Sequence, residues 1–307
     1  MVLDDSQPSP SQVAEPEQVR ATPPLPRRLW RGFVMRERFS LTTGGILCAV
    51  LTLWLADTLH IPAAPARAGS LLQQSAPLLA IGVAWVALIG GAMISSVFAS
   101  GVHYDGGLFC AALGLAALAA RMGPARFALF NAHTPGVYLL LALETLILGL
   151  GIVLAWMLLR RAAQAGKLPL EQAADPNDDP DEPLDQKLLA TAAQIILTLL
   201  GVIFLVQTDQ KMQTLCGLFI SASLAALAAH HFVPARPSIW FFCGPFVVAI
   251  IGYLSQFFWP GEWMIGDPRG VLAPVTRAMP LDYASAGTAG ALLGYWTSRR
   301  WQLERQG

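Results

Sequence analysis

Glu144 is the residue whose type and position most demand a chemical account. It is the one ionisable group in VYLLLALETLILGLGIVLAWMLL, residues 137–159. A carboxylate at bilayer depth costs ~2.5–3.5 kcal/mol on insertion scales. It must face protein or water, find hydrogen-bond partners, or hold a proton. Depth counting offers partners. Thr191, Gln194 and Thr198 fall at i, i+3 and i+7, on one face of a later helix. Ser221 lies near the middle of the next. Thr198 and Ser221 are expected nearest to Glu144 in height. Two chemistries follow. Glu144 is a proton or cation site whose route is lined by that polar face, or a carboxyl that joins helices through hydrogen bonds worth ~0.6 kcal/mol each. No basic residue stands at similar depth, which tips the balance toward the second.

The remaining reactive residues form weaker patterns. His103, Tyr104 and Asp105 precede Gly106 and Gly107. A lipid-modifying activity at this turn would rest on His103 and Asp105, yet the glycine pair alone accounts for a turn. His230 and His231 are adjacent in a helical stretch, so they share no face and chelate poorly. Cys48, Cys110, Cys216 and Cys243 each stand alone in apolar sequence and read as small hydrophobes. Asp175, Asn177 and Asp179 match the start of a calcium loop. Pro180 and Gln186 then occupy the positions that need a turn glycine and a bidentate glutamate. H-E-x-x-H, G-x-S-x-G and P-loop motifs are absent. No catalytic residue, metal or cofactor is therefore expected.

The elements that must position these groups are long apolar segments. The chain has 307 residues, 54% hydrophobic and 13% charged, against ~25% charged in ordinary soluble proteins. The 23 residues from Val137 to Leu159 would make a helix ~35 Å long, enough to cross a ~30 Å hydrocarbon core. Seven further segments repeat the pattern: 41–58, 71–99, 106–120, 188–207, 212–232, 238–258 and 281–298. The expected fold is thus an all-α polytopic transmembrane bundle of about eight spans. The third span is short for a crossing and could be re-entrant.

Basic residues orient the spans. With the N-terminus inside, thirteen lie on inner flanks, Arg160 and Arg161 among them, and six lie outside. Both termini are therefore expected in the cytoplasm. Arginine supplies nearly all the basic charge, a coding bias of GC-rich bacteria. The expected location is accordingly a bacterial inner membrane.

Five regions follow. Residues 1–38 hold a Pro-rich tail, expected to be disordered and carrying no secretory signal, and a basic juxtamembrane run. In that run Arg27, Arg28, Arg31, Arg36 and Arg38 suit anionic lipid at ~1 kcal/mol each. Residues 39–160 form a first four-helix membrane half, and 188–300 a second. Between them lies an acidic, Pro-rich linker, 161–187, and residues 301–307 form a cytoplasmic tail. The halves share spacing more than sequence, so a parallel repeat is only weakly marked. Pro245, inside the seventh span, is expected to kink it. Ala286, Gly290 and Gly294 allow close helix packing, within the chain or in a homo-oligomer or larger membrane complex. The loop 258–280 carries Trp259 and Trp263 at interfacial positions. It reads as an inert connection before it reads as a cap. Lys+Arg equals Asp+Glu, so nothing points to nucleic acid. The partner is the lipid bilayer. The function expected is a non-catalytic structural or assembly subunit, with a small transporter or channel using Glu144 as the alternative.

Overall fold

The computed structural model describes residues 27–58, 70–99, 103–130, 134–166, 183–259 and 272–306. Among the described residues it is 84% helical, with no strand, and six helices are long and apolar enough to cross a membrane. The tail, most of the acidic linker and residues 260–271 lie outside the described residues. So do the side chains of 27–38.

The chain begins with α1 (Arg27–Thr58), α2 (Pro77–Ala99), α3 (Gly106–Arg121) and a short α4 (Ala125–Phe130). It continues with α5 (Gly136–Gln164), α6 (Leu184–Leu205) and α7 (Lys211–Phe232). The last third is more broken: α8 (Ile239–Phe242), α9 (Gly244–Phe258), α10 (Pro274–Arg277), α11 (Pro280–Asp282), a π-turn (Tyr283–Gly287) and α12 (Thr288–Gln306). α1, α2 and α3 pack as one group, and α6, α7 and α12 as another. α5 and α9 join them.

Contacts define two ends of the bundle. At one, Arg121 pairs with Asp57 at 2.8 Å, Arg126 with Asp209, and Lys211 with Asp282. At the other, His103 meets Arg299, Ser238 meets Asp105, and Gln186 donates to the carbonyl of Pro234 at 2.5 Å. We call these the Lys211 end and the His103 end.

Small residues explain the packing. Lipid tails are as apolar as leucine, so helices in oil associate through close contact and not through the hydrophobic effect. A Cβ on Gly290 would lie 2.3 Å from the carbonyl oxygen of Phe219, and one on Gly294 2.0 Å from that of Ser223. The backbones of α12 and α7 therefore touch. Ala286 is buried in the preceding π-turn. Large apolar side chains point outward: Leu78 and Val86 on α2, Leu139, Leu143 and Leu150 on α5, Ile196 and Phe204 on α6. A surface this apolar suits lipid and not water.

Three segments bear on the span count. α3 is a 16-residue helix, ~24 Å long, and its Leu108, Cys110, Ala112, Leu115 and Ala119 are wholly enclosed by neighbouring helices. It starts at the His103 end and finishes at the Arg121–Asp57 pair. The seventh segment is helical from Ile239 to Phe258, with a break at Cys243 that its own helical dihedrals bridge, and Pro245 supplies no N–H to the Phe241 carbonyl there. Gly244 at that break lies against Gln194, so close that a Cβ would sit 2.6 Å from Gln194 Cγ. The eighth segment enters through the π-turn, and a Cβ on Gly287 would sit 2.9 Å from Pro245 Cβ. Both irregular helices thus meet at one level.

Candidate functional site

Glu144 lies on α5 with no solvent exposure. Its hydrogen bonds go to the segment preceding α2. Ser70 Oγ donates to Oε2. The Leu71 N–H donates to Oε1 and the Leu72 N–H to Oε2, each at 3.1 Å. Ser70 and Leu71 are themselves buried. Two successive backbone N–H groups and a hydroxyl make a concave nest for an anion. Both carboxylate oxygens are therefore used as acceptors.

The polar face of α6 is occupied elsewhere. Thr191 Oγ1 lies 2.9 Å from the Lys187 carbonyl and 3.0 Å from the Trp240 carbonyl. Its one proton serves one or the other. Gln194 Nε2 reaches Thr198 Oγ1 at 3.3 Å and the Ala222 carbonyl at 3.4 Å. Ser221 Oγ donates to the Gly217 carbonyl at 2.6 Å and packs against Gly201. The structure thus gathers Thr191, Gln194, Thr198 and Ser221 along the contact of α6 with α7 and α8. It gives Glu144 a different partner, the 70–72 turn.

Lys211, at the start of α7, pairs with a second buried carboxylate. Lys211 Nζ lies 2.7 Å from Asp282 Oδ1, with Asp282 wholly buried. The other oxygen of Asp282 accepts the N–H of Met279 at 2.8 Å. Tyr253 OH donates to the Ala278 carbonyl at 2.6 Å, and Tyr283 OH to that of Val275 at 2.8 Å. Arg277 Nη1 donates to the Val206 carbonyl at 2.7 Å. Residues 272–282 are thereby stitched into the Lys211 end. The described part of the loop before the eighth segment is a plug, half-buried over 272–275 and buried over 278–282.

No protein-family model, curated protein or solved structure matches the chain. Function has to be read from these contacts.

The second polar cluster stands at the His103 end. Ser238 Oγ donates to Asp105 Oδ2 at 2.5 Å, and His103 Nδ1 lies 3.1 Å from the same oxygen. Arg299 Nη1 lies 2.8 Å from His103 Nε2. Trp296 and Tyr104 flank the imidazole. Serine and histidine both bond the aspartate and not one another, so this is not the nucleophile–base–orienter order of a hydrolase triad. Asp105 and Ser238 have no solvent exposure, which closes them to a substrate. Nearby, His230 Nδ1 meets Ser298 Oγ at 2.9 Å, inside Phe241 and Tyr295. Among the described residues no three His, Cys, Asp or Glu side chains converge as a metal site.

Sequence reasoning missed Ser70, Lys211, Asp282, Ser238 and Arg299 as partners. Lys211 and Asp282 carry one faint signal. Each stands in the first turn of a helical stretch after a loop, and opposite charges at two such positions can pair across a bundle.

Proposed function

We propose that this is a multi-pass membrane protein of eight spans with a structural or assembly role and no catalytic step. The observation that carries this is how Glu144 is bound. Its two oxygens hold three donors from one turn, most of the about four lone-pair sites a carboxylate offers, on a side chain with no solvent exposure. The carboxylate fastens the 70–72 turn to α5, as Asp282 fastens the 272–282 plug to α7. Ionic groups in the bundle act as clasps for the segments between helices.

The span count draws support from the two segments too short or too polar to satisfy the hydropathy criterion. α3 joins the His103 end to the Arg121–Asp57 pair. The path 280–306 joins Asp282 to Arg299. Each thus runs between the two ends. Eight traverses place both termini on one side. The distribution of basic residues favours the cytoplasm for that side, and the excess of arginine over lysine suits a bacterial inner membrane. Arg27, Arg28, Arg31, Arg36 and Arg38 would then meet anionic lipid. The exposed apolar faces would meet acyl chains, a second copy or another subunit.

Transport is the second reading, and one observation favours it. The breaks in the seventh and eighth segments meet beside Gln194, whose Oε1 is buried and unpartnered. Discontinuous helices line substrate sites in many transporters. That reading centres on Gln194 and not on Glu144.

Glu144→Gln tests the assignment. The amide cannot accept both backbone N–H groups, so one is left unpaired at ~1–3 kcal/mol. We expect a lower melting temperature in detergent, loss of any native assembly, and proton or solute flux in proteoliposomes no different from empty vesicles for either protein. A flux present in the wild type and abolished by Glu144→Gln at unchanged stability would overturn it.

A further inference from the structure

Helices α8 and α9 lie between α5 and α6. From the α5 side, a Cβ on Gly149 would sit 3.3 Å from the ring of Phe246, and Trp156 meets Phe242 edge-on with ring centroids 6.3 Å apart. From the α6 side, Thr191 Oγ1 lies 3.0 Å from the Trp240 carbonyl, and Gln194 lies against Gly244. The two walls leave one stripe of α8 and α9 incompletely covered. Trp240, Cys243, Val247 and Ile250 are half-buried, and Ile251 is exposed. They recur at i, i+3, i+7, i+10 and i+11, which is one helical face. The result is a shallow apolar groove. From Trp240 to Ile250 it runs ~15 Å, half of a ~30 Å hydrocarbon core and so the depth of one leaflet.

Each wall carries a cation at the His103 end of this groove. Arg160 stands one turn beyond Trp156, on the α5 face that meets α8, and its guanidinium lies 5.3 Å from the centre of the Trp156 ring. Lys187 stands one turn before Thr191, on the α6 face that meets α8. Both are half-buried. The described acids of this end are placed elsewhere. Asp185 is two residues from Lys187 and so points from another face of α6. Asp105 holds Ser238 and His103, and Glu304 lies beside Arg300.

We propose that this groove binds an anionic phospholipid, with its phosphate between Arg160 and Lys187 and an acyl chain along Trp240, Val247 and Ile250. The planar fork of arginine matches phosphate oxygens, and lysine adds a point charge. Trp240 stands at headgroup depth, where an indole is favoured. Free phosphate would meet the cations but gain nothing from the apolar floor. A choline lipid would use the floor but bring a further cation to the mouth. The inference rests on the membrane-spanning reading and holds whether the protein scaffolds or transports.

The test is thermal unfolding of the full-length protein in nanodiscs of phosphatidylcholine alone, or of phosphatidylcholine mixed equally with phosphatidylglycerol. The anionic lipid should raise the wild-type melting temperature by ~3–6 °C. That gain should be lost in the double variant Arg160→Gln, Lys187→Gln. It should be lost equally in Val247→Trp, which fills the groove and keeps both cations. Arg121→Gln, at the Lys211 end, should keep it whole. Inorganic phosphate added to the phosphatidylcholine discs should produce no shift. Absence of a wild-type gain would overturn the site. So would a gain that persists in the double variant or in Val247→Trp, since it would then be diffuse attraction to the other arginines. Phosphate that reproduces the gain would overturn the lipid as ligand. Should the double variant not fold, Val247→Trp decides alone. A chain that stays folded and soluble without disc or detergent would instead sink the membrane reading itself.

Discussion

Lys211 and Asp282 make the closest ionic contact inside the bundle, and two opposing terms set its worth. Desolvating both ions costs several kcal/mol, and their attraction roughly offsets that. Removing one partner is different, because the other then stays buried and uncompensated. Lys211→Met should therefore lower stability by about 3–5 kcal/mol, and Asp282→Asn should lower it too. The amide introduced by Asp282→Asn would keep an oxygen for the Met279 N–H, so the double variant should lose clearly less than the two singles combined. Thermal unfolding of the four proteins in one detergent closes the cycle. Simple additivity would show that the 2.7 Å contact carries no coupling. Glu144 was legible in the sequence because an acidic residue in an apolar run stands out. Its partners were not. Two of its three donors are backbone N–H groups of Leu71 and Leu72, and a backbone donor leaves no trace in residue type. Lys211 was legible only as a basic flank, since helix contacts cannot be counted from depth.

At the scale of elements, spacing marks close approach without naming the neighbour. The G-x-x-x-G of the eighth segment is such a mark. The structure supplies the neighbour, α7, whose carbonyls at Phe219 and Ser223 leave no room for a methyl group. Gly294→Ala must push the two helices apart and should cost about 1–3 kcal/mol. Gly82 is the control, because nothing lies within 4 Å of a Cβ built there. Gly82→Ala should stabilise α2 by about 0.5–1 kcal/mol through the lost flexibility of glycine. Opposite shifts in melting temperature are the expected result. Equal shifts would mean that helix propensity, and not the α7–α12 contact, governs both. Helix breaks were harder to read. Pro245 announces an irregularity, but the same residue suits a kink within a helix or the start of a new one. Gln194 fills the space beside Gly244 at that irregularity. The π-turn at Tyr283–Gly287 has no sequence signature at all. The length of α3 was judged against a bare bilayer, whereas its buried face is enclosed by other helices.

The whole molecule poses one question of geometry: on which side each loop emerges. Three apolar passages, α6, α7 and α8–α9, separate residue 175 from residue 267. The path 280–306 separates 267 from the C-terminus. Four passages, α1, α2, α3 and α5, separate the N-terminal tail from 175. An odd number of crossings changes sides and an even number restores them. Cysteines placed by Ser6→Cys, Asp175→Cys and Asp267→Cys, each in a background with Cys48, Cys110, Cys216 and Cys243 replaced by alanine, read this directly. A membrane-impermeant maleimide added to intact cells should label position 267 alone. In inverted vesicles it should label 6 and 175 and spare 267. The decisive comparison is 6 against 175, because only α3 makes that count even. Were α3 to enter and leave by one face, 6 and 175 would label from opposite sides. Arg160 and Arg161 would then stand outside, against the preference of arginine-rich flanks for the cytoplasm. Labelling of 6 and 175 from the same side, opposite to 267, requires that a helix of 16 residues crosses with its neighbours. The shelter that α1 and α2 give its apolar face would then be what permits a crossing shorter than lipid alone would allow.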